Sequence, residues 1–271
     1  MVGRRHGPQQ GIQSIEVGGR LLRALADATR PMMLRDLASA AEMPAPQAHR
    51  YLVSFARMGL VERITESGQY DLGPFALQLG LGALARLEPV TLAAPVLALL
   101  REQISQTVAL AVWANHGPTM VRWLSADTPV AATLRVGSVM PLTRSATGGA
   151  FLAFVPRSRT APLVRQELKE NARHGIGPTT EAALESVIER TCRLGAARTS
   201  DFIPGIAGIS APVFDHSGEM VLALTALGYS KPFEMQLEPL TTAVCRAAGQ
   251  LSARLGFAGQ RGGCATRPTA A

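Results

Sequence analysis

The stretch Pro44-Ala-Pro-Gln-Ala-His-Arg-Tyr-Leu-Val-Ser-Phe-Ala-Arg-Met-Gly-Leu60 predicts one short amphipathic helix with two different faces. Residues at i, i+4 and i+7 form an apolar stripe that we expect to be buried: Ala48, Leu52 and Phe55. Residues at i, i+3, i+7 and i+10 form a polar stripe that can hydrogen-bond: Gln47, Arg50, Ser54 and Arg57. Pro46 suits the first turn of this helix, and Gly59 suits a left-handed residue at its end.

The segments on either side of this helix indicate a winged helix-turn-helix. Upstream, Leu34, Leu37 and Ala38 keep helical spacing and residues 42–44 form a short break, so two helices are joined by a tight turn. Downstream, residues 60–64 and 70–72 are typical of two strands around a glycine-containing turn. In this arrangement the second helix enters the DNA major groove, where glutamine pairs with adenine and arginine with guanine. The pattern leaves open a small helical bundle whose charged face is only solvated.

Short segments along nearly the whole chain carry a resemblance to a known family. In the first half these segments are Ser14-Ile-Glu, Leu21-Leu22, Leu37-Ala38, Ala48-His-Arg-Tyr-Leu52, Gly59-Leu-Val61 and Tyr70-Asp-Leu-Gly73. In the second half they are Val136 to Leu142, Ser145-Ala-Thr-Gly148 and Ile209 to Asp215. In this order and spacing they resemble the isocitrate-lyase-regulator (IclR) family of bacterial transcription factors. The resemblance implies a dimerising winged helix-turn-helix, a linker helix, and a carboxy-terminal domain related to the GAF and PAS sensors of small molecules.

The predicted fold class is α+β, because strands in hairpins and several helices follow the predicted winged helix-turn-helix, which we call the reader domain. The predicted organisation is a flexible tail over 1–11, the winged helix-turn-helix over 12–74, a linker helix over 75–90, a GAF-like effector-binding domain over 91–257 and a flexible tail over 258–271. Within the effector domain we expect strands over 108–113, 120–124 and 130–136 and a hairpin over 207–227. We expect its later helices over 147–154, 162–172, 180–193 and 236–255. The linker segment is apolar on most sides, so it must be covered.

The candidate DNA-binding residues lie on the two helices of the reader motif: Arg35, Pro46, Gln47, His49, Arg50 and Arg57. The resemblance maps Pro46, Gln47 and Arg50 to groove-facing positions and His49 to a flanking one. Arg35 lies on the outer side of the preceding helix, where it can contact a phosphate without reading sequence. Family members often carry Ser or Thr near positions 46 and 47, so the preferred base sequence does not carry over. For His49, a contact with a DNA phosphate and a surface position without any DNA contact remain equal alternatives.

The candidate effector-binding strands form the hairpin over residues 207–227. If Phe214 faces Glu219, then Gly208 lies opposite Thr225, and alternation places Ser210 and Leu227 on the same face. This face combines small, hydroxyl and apolar groups, as a pocket for a small, partly polar molecule requires. The resemblance implies that these strands line the effector cavity.

A second part of the predicted effector site is the start of the helix near residue 147. There the resemblance implies that Ala146, Thr147 and Gly148 offer backbone N–H groups, which attract a carboxylate, and Ser145 directly before them is a further candidate. Arg144 adds a charge-assisted hydrogen bond to an acid, or else is simply exposed. Arg198 stands where family members that sense small keto acids carry an acidic residue. The predicted ligand is therefore an organic or aromatic acid, and not necessarily a keto acid.

Other classes of protein find little support. The chain contains no Gly-x-Ser-x-Gly, HExxH, Walker or dinucleotide-binding motif. Asp215, His216 and Ser217 are neighbours in a predicted tight turn and so cannot align as a hydrolytic triad. The three cysteines are widely spaced with no histidine nearby, which argues against a zinc site, and no cofactor is indicated. No signal peptide opens the sequence and its longest apolar runs are too short to cross a bilayer, so we expect a cytoplasmic protein without membrane contact.

The net charge of the chain is compatible with DNA binding but does not show which part of the chain binds DNA. The chain carries a formal net charge of +7, but residues 1–75 hold nine arginines against seven acidic residues. We therefore predict a dimeric or tetrameric transcriptional regulator that binds a pseudo-palindromic DNA operator and responds to a small-molecule effector. An alternative left open is a DNA-binding protein whose carboxy-terminal half only oligomerises. The sequence leaves open the effector, the operator, and whether transcription is repressed or activated.

Overall fold

The structure is a computed structural model, and it describes residues 11–84, 88–128 and 134–259. The chain divides into two compact units, Met1–Leu87 and Glu88–Ala271. Within the described ranges, no helix combines the length and the apolar composition that crossing a membrane requires. Each unit has a hydrophobic core of its own.

The amino-terminal unit is a winged helix-turn-helix, as predicted. Its elements are α1 (Gln13–Asp27), α2 (Leu34–Ala40), α3 (Ala45–Arg57), β1 (Val61–Arg63), β2 (Tyr70–Leu72) and α4 (Pro74–Leu84). The strands β1 and β2 pair antiparallel and form the wing. Leu21 of α1, Leu37 of α2 and Leu52 of α3 are fully buried in one core, which holds the three helices together.

The bounds of α3 follow from its sequence. Pro44 occupies the position directly before its first residue, and Pro46 lies in its first turn, where the missing N–H costs no hydrogen bond. Gly59 has φ of +72°, the left-handed conformation that ends the helix and that glycine adopts without strain. Ala48 and Leu52 are buried, and Phe55 is partly buried against the same core. The predicted apolar stripe therefore anchors α3 and leaves the opposite stripe outward.

Gly18 of α1 allows a close approach between α1 and α3. A Cβ atom on Gly18 would lie 2.9 Å from Cδ1 of Tyr51 and 3.0 Å from Cζ of Phe55. A Cβ atom on Gly19 would have nothing within 4 Å. Two adjacent glycines in one helix thus have different roles, since only the first is required by packing.

Replacing Gly19 by alanine should stabilise the amino-terminal unit by roughly 0.5–1 kcal/mol, because alanine is the better helix former and meets no neighbour. Gly18→Ala gains the same helix propensity but forces a methyl group into the Tyr51 ring, at about 1–3 kcal/mol. Its net effect should be destabilising. Scanning calorimetry of both variants tests the contrast, and equal stabilisation by the two substitutions would contradict the packing of α1 on α3.

The carboxy-terminal unit is an α+β domain around one antiparallel sheet. Its strands are β3 (Thr107–Ala114), β4 (Gly117–Leu124), β5 (Ala197–Ile203), β6 (Ile206–Phe214) and β7 (Met220–Tyr229), in the spatial order β4-β3-β7-β6-β5. Its helices are α5 (Pro89–Ile104), α6 (Ala146–Phe154), α7 (Arg157–His174), α8 (Glu181–Leu194), α9 (Ser230–Glu234) and α10 (Leu237–Arg254). Helix α6 packs against β5, β6 and β7, and α10 packs against β6 and α5.

The prediction of a strand over 130–136 was wrong for the part that the structure describes. Residues 129–133 lie outside the described ranges, and residues 134–136 are not in a strand. Gly137, with φ of +91°, donates a backbone hydrogen bond to Met120, and Met120 donates one to Ser138. A turn beside β4 satisfies these backbone groups. The strand that completes the sheet is instead β5, which the apolar pattern did not indicate.

The pairing predicted for the β6–β7 hairpin was wrong by two residues. Phe214 pairs with Met220, and an irregularity between Val213 and Phe214 shifts the rest of the register. Gly208 therefore lies opposite Leu227, and Ser210 lies opposite Thr225. Because strand side chains alternate with a period of two, a shift of two residues keeps all four on one face of the sheet.

Candidate DNA-binding and ligand-binding sites

The polar stripe of α3 faces outward. Pro46, His49, Arg50 and Arg57 are exposed, and Gln47 is partly exposed. Ser54 on the same stripe donates a hydrogen bond from Oγ to the carbonyl oxygen of Arg50, one turn earlier. This bond satisfies the serine within the helix and leaves the glutamine and the arginines as the groups available for an outside partner.

His49 and the wing are connected. The ring nitrogen Nδ1 of His49 lies 3.5 Å from the hydroxyl oxygen of Tyr70, a buried residue at the start of β2. Arg63 of β1 extends over the Tyr70 ring with its Cζ 5.9 Å from the ring centroid, and its Nε donates to the carbonyl oxygen of Gly68 in the wing turn. Arg63 was not among the predicted residues, although an arginine on the first wing strand is a signal that the sequence contained.

Arg35, Arg50 and Arg57 carry uncompensated charge. Arg35 is exposed on α2, and none of the three forms an ion pair within the described part of the chain. Exposed guanidinium groups without carboxylate partners attract phosphate and guanine, which both accept paired hydrogen bonds. The surface of α2 and α3 is therefore suited to an anionic partner with base edges.

The predicted effector residues of the sheet face pack against α6. Thr225 is central, with its Oγ1 2.9 Å from Oγ1 of Thr147 and 2.9 Å from Oγ of Ser210. All three residues are buried, with at most 1% of each accessible. We call Thr147, Ser210 and Thr225 the hydroxyl chain. Its members satisfy one another's hydrogen bonds inside the protein.

The remaining predicted residues of this face approach each other closely. A Cβ atom on Gly208 would lie 3.0 Å from Cδ2 of Leu227 and 3.6 Å from Cβ of Ala146. One on Gly148 would lie 2.0 Å from the carbonyl oxygen of Pro141. Ser145 caps α6, accepting a hydrogen bond from the Gly148 amide at 2.9 Å. The start of α6 is thus packed tightly onto the sheet and the preceding loop.

A cavity of about 1010 Å³ opens beside this cluster, between β5, α8 and the loop that precedes α6. Of the predicted effector residues, Arg144 and Ser145 line it. Two further arginines that were not predicted as ligand-binding residues, Arg190 of α8 and Arg198 of β5, also line it. Within the described residues, no three His, Cys, Asp or Glu side chains cluster as a metal site.

The loop before α6 is fixed from α7. Glu167 accepts hydrogen bonds from the backbone amides of Leu142 and Thr143, both at 2.9 Å, and from the Thr143 hydroxyl at 2.7 Å. Buried Asn171, one turn further along α7, donates to Thr143 Oγ1 and to the carbonyl oxygen of Pro178. These bonds hold the cavity wall in place.

Arg144 extends from that loop across the cavity wall. Its Cζ lies 5.5 Å from the centroid of the Phe202 ring, within the range of a cation–π interaction. Its stem packs on Gly177, where a Cβ atom would lie 2.7 Å from Cγ of Arg144. Gly177 has φ of +60°, so the turn and the arginine both require a glycine there.

Arg198 is held by a carboxylate at the start of α10. Its Nη1 and Nη2 donate to Oε1 and Oε2 of Glu238 at 2.8 Å and 3.0 Å. The Arg198 side chain is 19% exposed and that of Glu238 is 77% exposed. The hydrogen bonds from Arg198 and its positive charge lower the pKa of Glu238 from its ordinary value. This paired bond fixes the direction in which the guanidinium points.

Arg198→Ala should therefore raise the pKa of Glu238 toward its ordinary value of 4.5. Removing the donors removes what favours the ionised carboxylate. An NMR titration that follows the side-chain carboxyl carbon of Glu238 in both proteins measures the change. Arg193→Ala, an exposed arginine of α8, removes the same charge elsewhere and should leave the Glu238 titration unchanged.

Two features taken together define the class of protein. A winged helix-turn-helix with unpaired arginines on its outward helices is joined in one chain to an α+β unit with a cavity, which is the plan of a DNA-binding transcriptional regulator. The chain belongs to the IclR family. The family description "Bacterial transcriptional regulator IclR C-terminal" matches residues 81–253, and "IclR helix-turn-helix domain" matches residues 14–64. It is a regulator and not an enzyme.

Individual proteins resemble this chain over most of its length. The glycerol operon regulatory protein of Streptomyces griseus is 31% identical over 91% of this chain and 98% of its own. The crystal structure of HmgR from Pseudomonas aeruginosa is 34% identical with a TM-score of 0.82, covering 92% of this chain and 100% of that chain. An IclR homolog from Microbacterium hydrocarbonoxydans, solved in complex with 4-hydroxybenzoate, is 21% identical with a TM-score of 0.52, covering 89% and 98% of the two chains. This last likeness shows the fold alone.

Proposed function

We propose that a small organic acid binds in the cavity of the carboxy-terminal unit and thereby modulates the binding of this regulator to its operator. The observation that carries the proposal is the charge of the cavity wall. Three arginines, Arg144, Arg190 and Arg198, line it against one acidic residue, Glu234. An excess of guanidinium groups in a concave site favours an anionic ligand.

The size and the remaining lining of the cavity support the same class of ligand. A volume near 1010 Å³ is at the upper end of the range of small-molecule sites. Phe202 and Ile176 supply apolar surface, which an aromatic or aliphatic body requires. The alternative in which this unit only oligomerises gains no support from such a cavity.

The reader motif is proposed to bind as follows. Gln47 and Arg50 contact base edges in the major groove beside Pro46, while Arg35, His49 and Arg57 contact the DNA backbone. Their outward placement on α2 and α3 supports this division.

The chain is proposed to act as a homodimer or a dimer of dimers on a pseudo-palindromic site. Three exposed leucines on α4 support an oligomer, since a partner would cover them: Leu77, Leu79 and Leu81. Their exposed fractions are 64%, 52% and 56%.

The test uses the full chain and an operator selected in vitro from random duplex DNA. A panel of acids, namely 4-hydroxybenzoate, benzoate, phenylacetate, succinate and pyruvate, is added at millimolar concentrations. An acid that binds the native protein should raise its melting temperature and change its operator affinity. If every acid of the panel leaves both quantities unchanged, the proposal is wrong.

A further inference from the structure

We propose that Arg198 binds the acid group of the ligand through its Nε edge, while Glu238 holds the other edge of the same guanidinium. The inference rests on the proposed function, because it names the residue and the atoms by which the cavity holds an acid. It also separates two roles. Arg198 contacts the ligand, and Glu238 positions Arg198.

The hydrogen bonds of Arg198 leave one edge of the guanidinium unused. A guanidinium has five N–H donors in a planar fork, so it can pair with one carboxylate end-on through its two terminal nitrogens and with another side-on through Nε and one terminal nitrogen. Glu238 takes the end-on position. The Nε atom is buried and has no hydrogen-bond partner in the described part of the chain.

An unpaired buried donor is costly, so it points to a partner that the protein is built to receive. Leaving a donor buried without an acceptor sacrifices its hydration and gains nothing in exchange. A carboxylate in the cavity can accept from Nε–H and from the second N–H of the adjacent terminal nitrogen. Two parallel bonds of this kind form a bidentate pair, which holds an acid more strongly and more specifically than a single hydrogen bond does.

The charges around Arg198 are compatible with a ligand carboxylate that binds close to the carboxylate of Glu238. Arg144 and Arg190 line the same cavity, and together with Arg198 they offset the charges of Glu234, Glu238 and the ligand. Glu238 is largely exposed, so water screens its repulsion of a bound acid. The acid group therefore meets a net attractive field at the wall formed by β5.

This location differs from the one that the sequence suggested. The hydroxyl chain and the glycines of α6 and β6 that were predicted to bind the effector are buried in mutual contact, and none of them lines the cavity. Arg198 lies in the lining with Thr199 and Ser200. The acid group is placed at β5, and the rest of the ligand extends toward Phe202 and α8.

Isothermal titration of the full chain tests the inference, with each panel acid compared with its own uncharged amide, beginning with 4-hydroxybenzoate and 4-hydroxybenzamide. Arg198→Ala should weaken binding of the acid by roughly 10- to 100-fold, the range for a charge-assisted hydrogen bond, and should leave binding of the amide nearly unchanged. Arg198→Lys keeps the charge and loses the paired geometry, so it should recover only part of the affinity. Arg193→Ala is the matched control and should bind the acid as the wild type does.

A spectroscopic measurement separates contact from a change in fold. In a ¹⁵N–¹H spectrum of arginine side chains, the Nε–H signal that is missing in Arg198→Ala should shift when the acid is added and stay in place with the amide. If a panel acid binds Arg198→Ala as tightly as the wild type, the assignment to Arg198 is overturned and the proposed function stands. If the wild type binds no acid of the panel, both are overturned.

Discussion

Replacing Phe151 by alanine should lower the free energy of unfolding of the carboxy-terminal unit by about 3–5 kcal/mol. Phe151 lies in the middle of α6 and is fully buried, with its ring centroid 5.9 Å from that of Trp113. It belongs to the core cluster that joins α6 to the sheet and to α7 and α8. Truncation removes both its burial and its packing and leaves a void in a region that cannot collapse around it.

Tryptophan fluorescence during urea unfolding measures this effect in one unit alone, because both tryptophans of the chain, Trp113 and Trp123, lie in the carboxy-terminal unit. The matched control is Leu99→Ala on α5. Leu99 is 67% exposed, so its truncation should change the stability by no more than about 0.5 kcal/mol. Equal midpoints for Phe151→Ala and the wild type would show that α6 does not form the centre of this core.

Replacing Arg50 by alanine should weaken binding to the selected operator by about 1–3 kcal/mol, the range for a single arginine–guanine pair, and should reduce the preference for that operator over scrambled DNA. Arg50 is exposed on the outward stripe of α3 and has no ion pair within the described residues, so its guanidinium is available to a base edge. Fluorescence anisotropy with labelled operator and scrambled duplexes, at one fixed salt concentration, measures both quantities.

Two variants separate base reading from general charge. Arg35→Ala should weaken binding to both duplexes alike and lower the salt dependence by about one counterion, since a phosphate contact carries no sequence information. Arg173→Ala removes an exposed arginine of α7 in the other unit and should change neither duplex. The assignment of Arg50 fails if its substitution leaves operator affinity unchanged or affects both duplexes equally.

The amino-terminal unit was predictable because its signals are local. The spacing of Ala48 and Leu52, the prolines at the start of α3 and Gly59 at its end each act within a few residues, and the structure follows all of them. The close packing of Gly18 against Tyr51 was not predictable, because it joins two helices that are far apart in the sequence. The contact of α1 with Tyr51 explains why position 18 requires a glycine.

The ligand site was less predictable, because it depends on a strand with little apolar signal. The sequence of β5, Ala-Arg-Thr-Ser-Asp-Phe-Ile, has no regular alternation, so only its partner β6 reveals that it is a strand. That pairing brings Arg198 into the cavity wall and within reach of Glu238, 40 residues further along the chain. From the sequence alone, Arg198 is only a departure from the family pattern.

In the β6–β7 hairpin, the predicted register was wrong, but the residues predicted to share one face of the sheet do share it. The turn displaced the predicted pairing by one residue, since Phe214 pairs with Met220, and the irregularity between Val213 and Phe214 displaced it by one more. The total is an even number, so Ser210 and Thr225 remained on the same side as Gly208 and Leu227. The prediction that this side is open to a ligand did not include the approach of α6, which brings Thr147 onto Thr225. Packing between distant segments decided the outcome.

The hydroxyl chain also sets where α6 sits along the sheet. The neighbours of Thr147 in the helix, Ala146 and Gly148, carry no polar side chain, so sliding α6 by one residue would break the Thr147–Thr225 hydrogen bond while the bond between Ser210 and Thr225 remains. Leaving the buried Thr147 hydroxyl without that partner would cost about 1–3 kcal/mol. The apolar contacts around the hydroxyl chain are not directional, so they do not favour one position of α6 along the sheet over another. We therefore expect α6 to move between discrete positions and not continuously. Such a two-position movement would let α6 respond to a ligand, because its first turn adjoins the cavity.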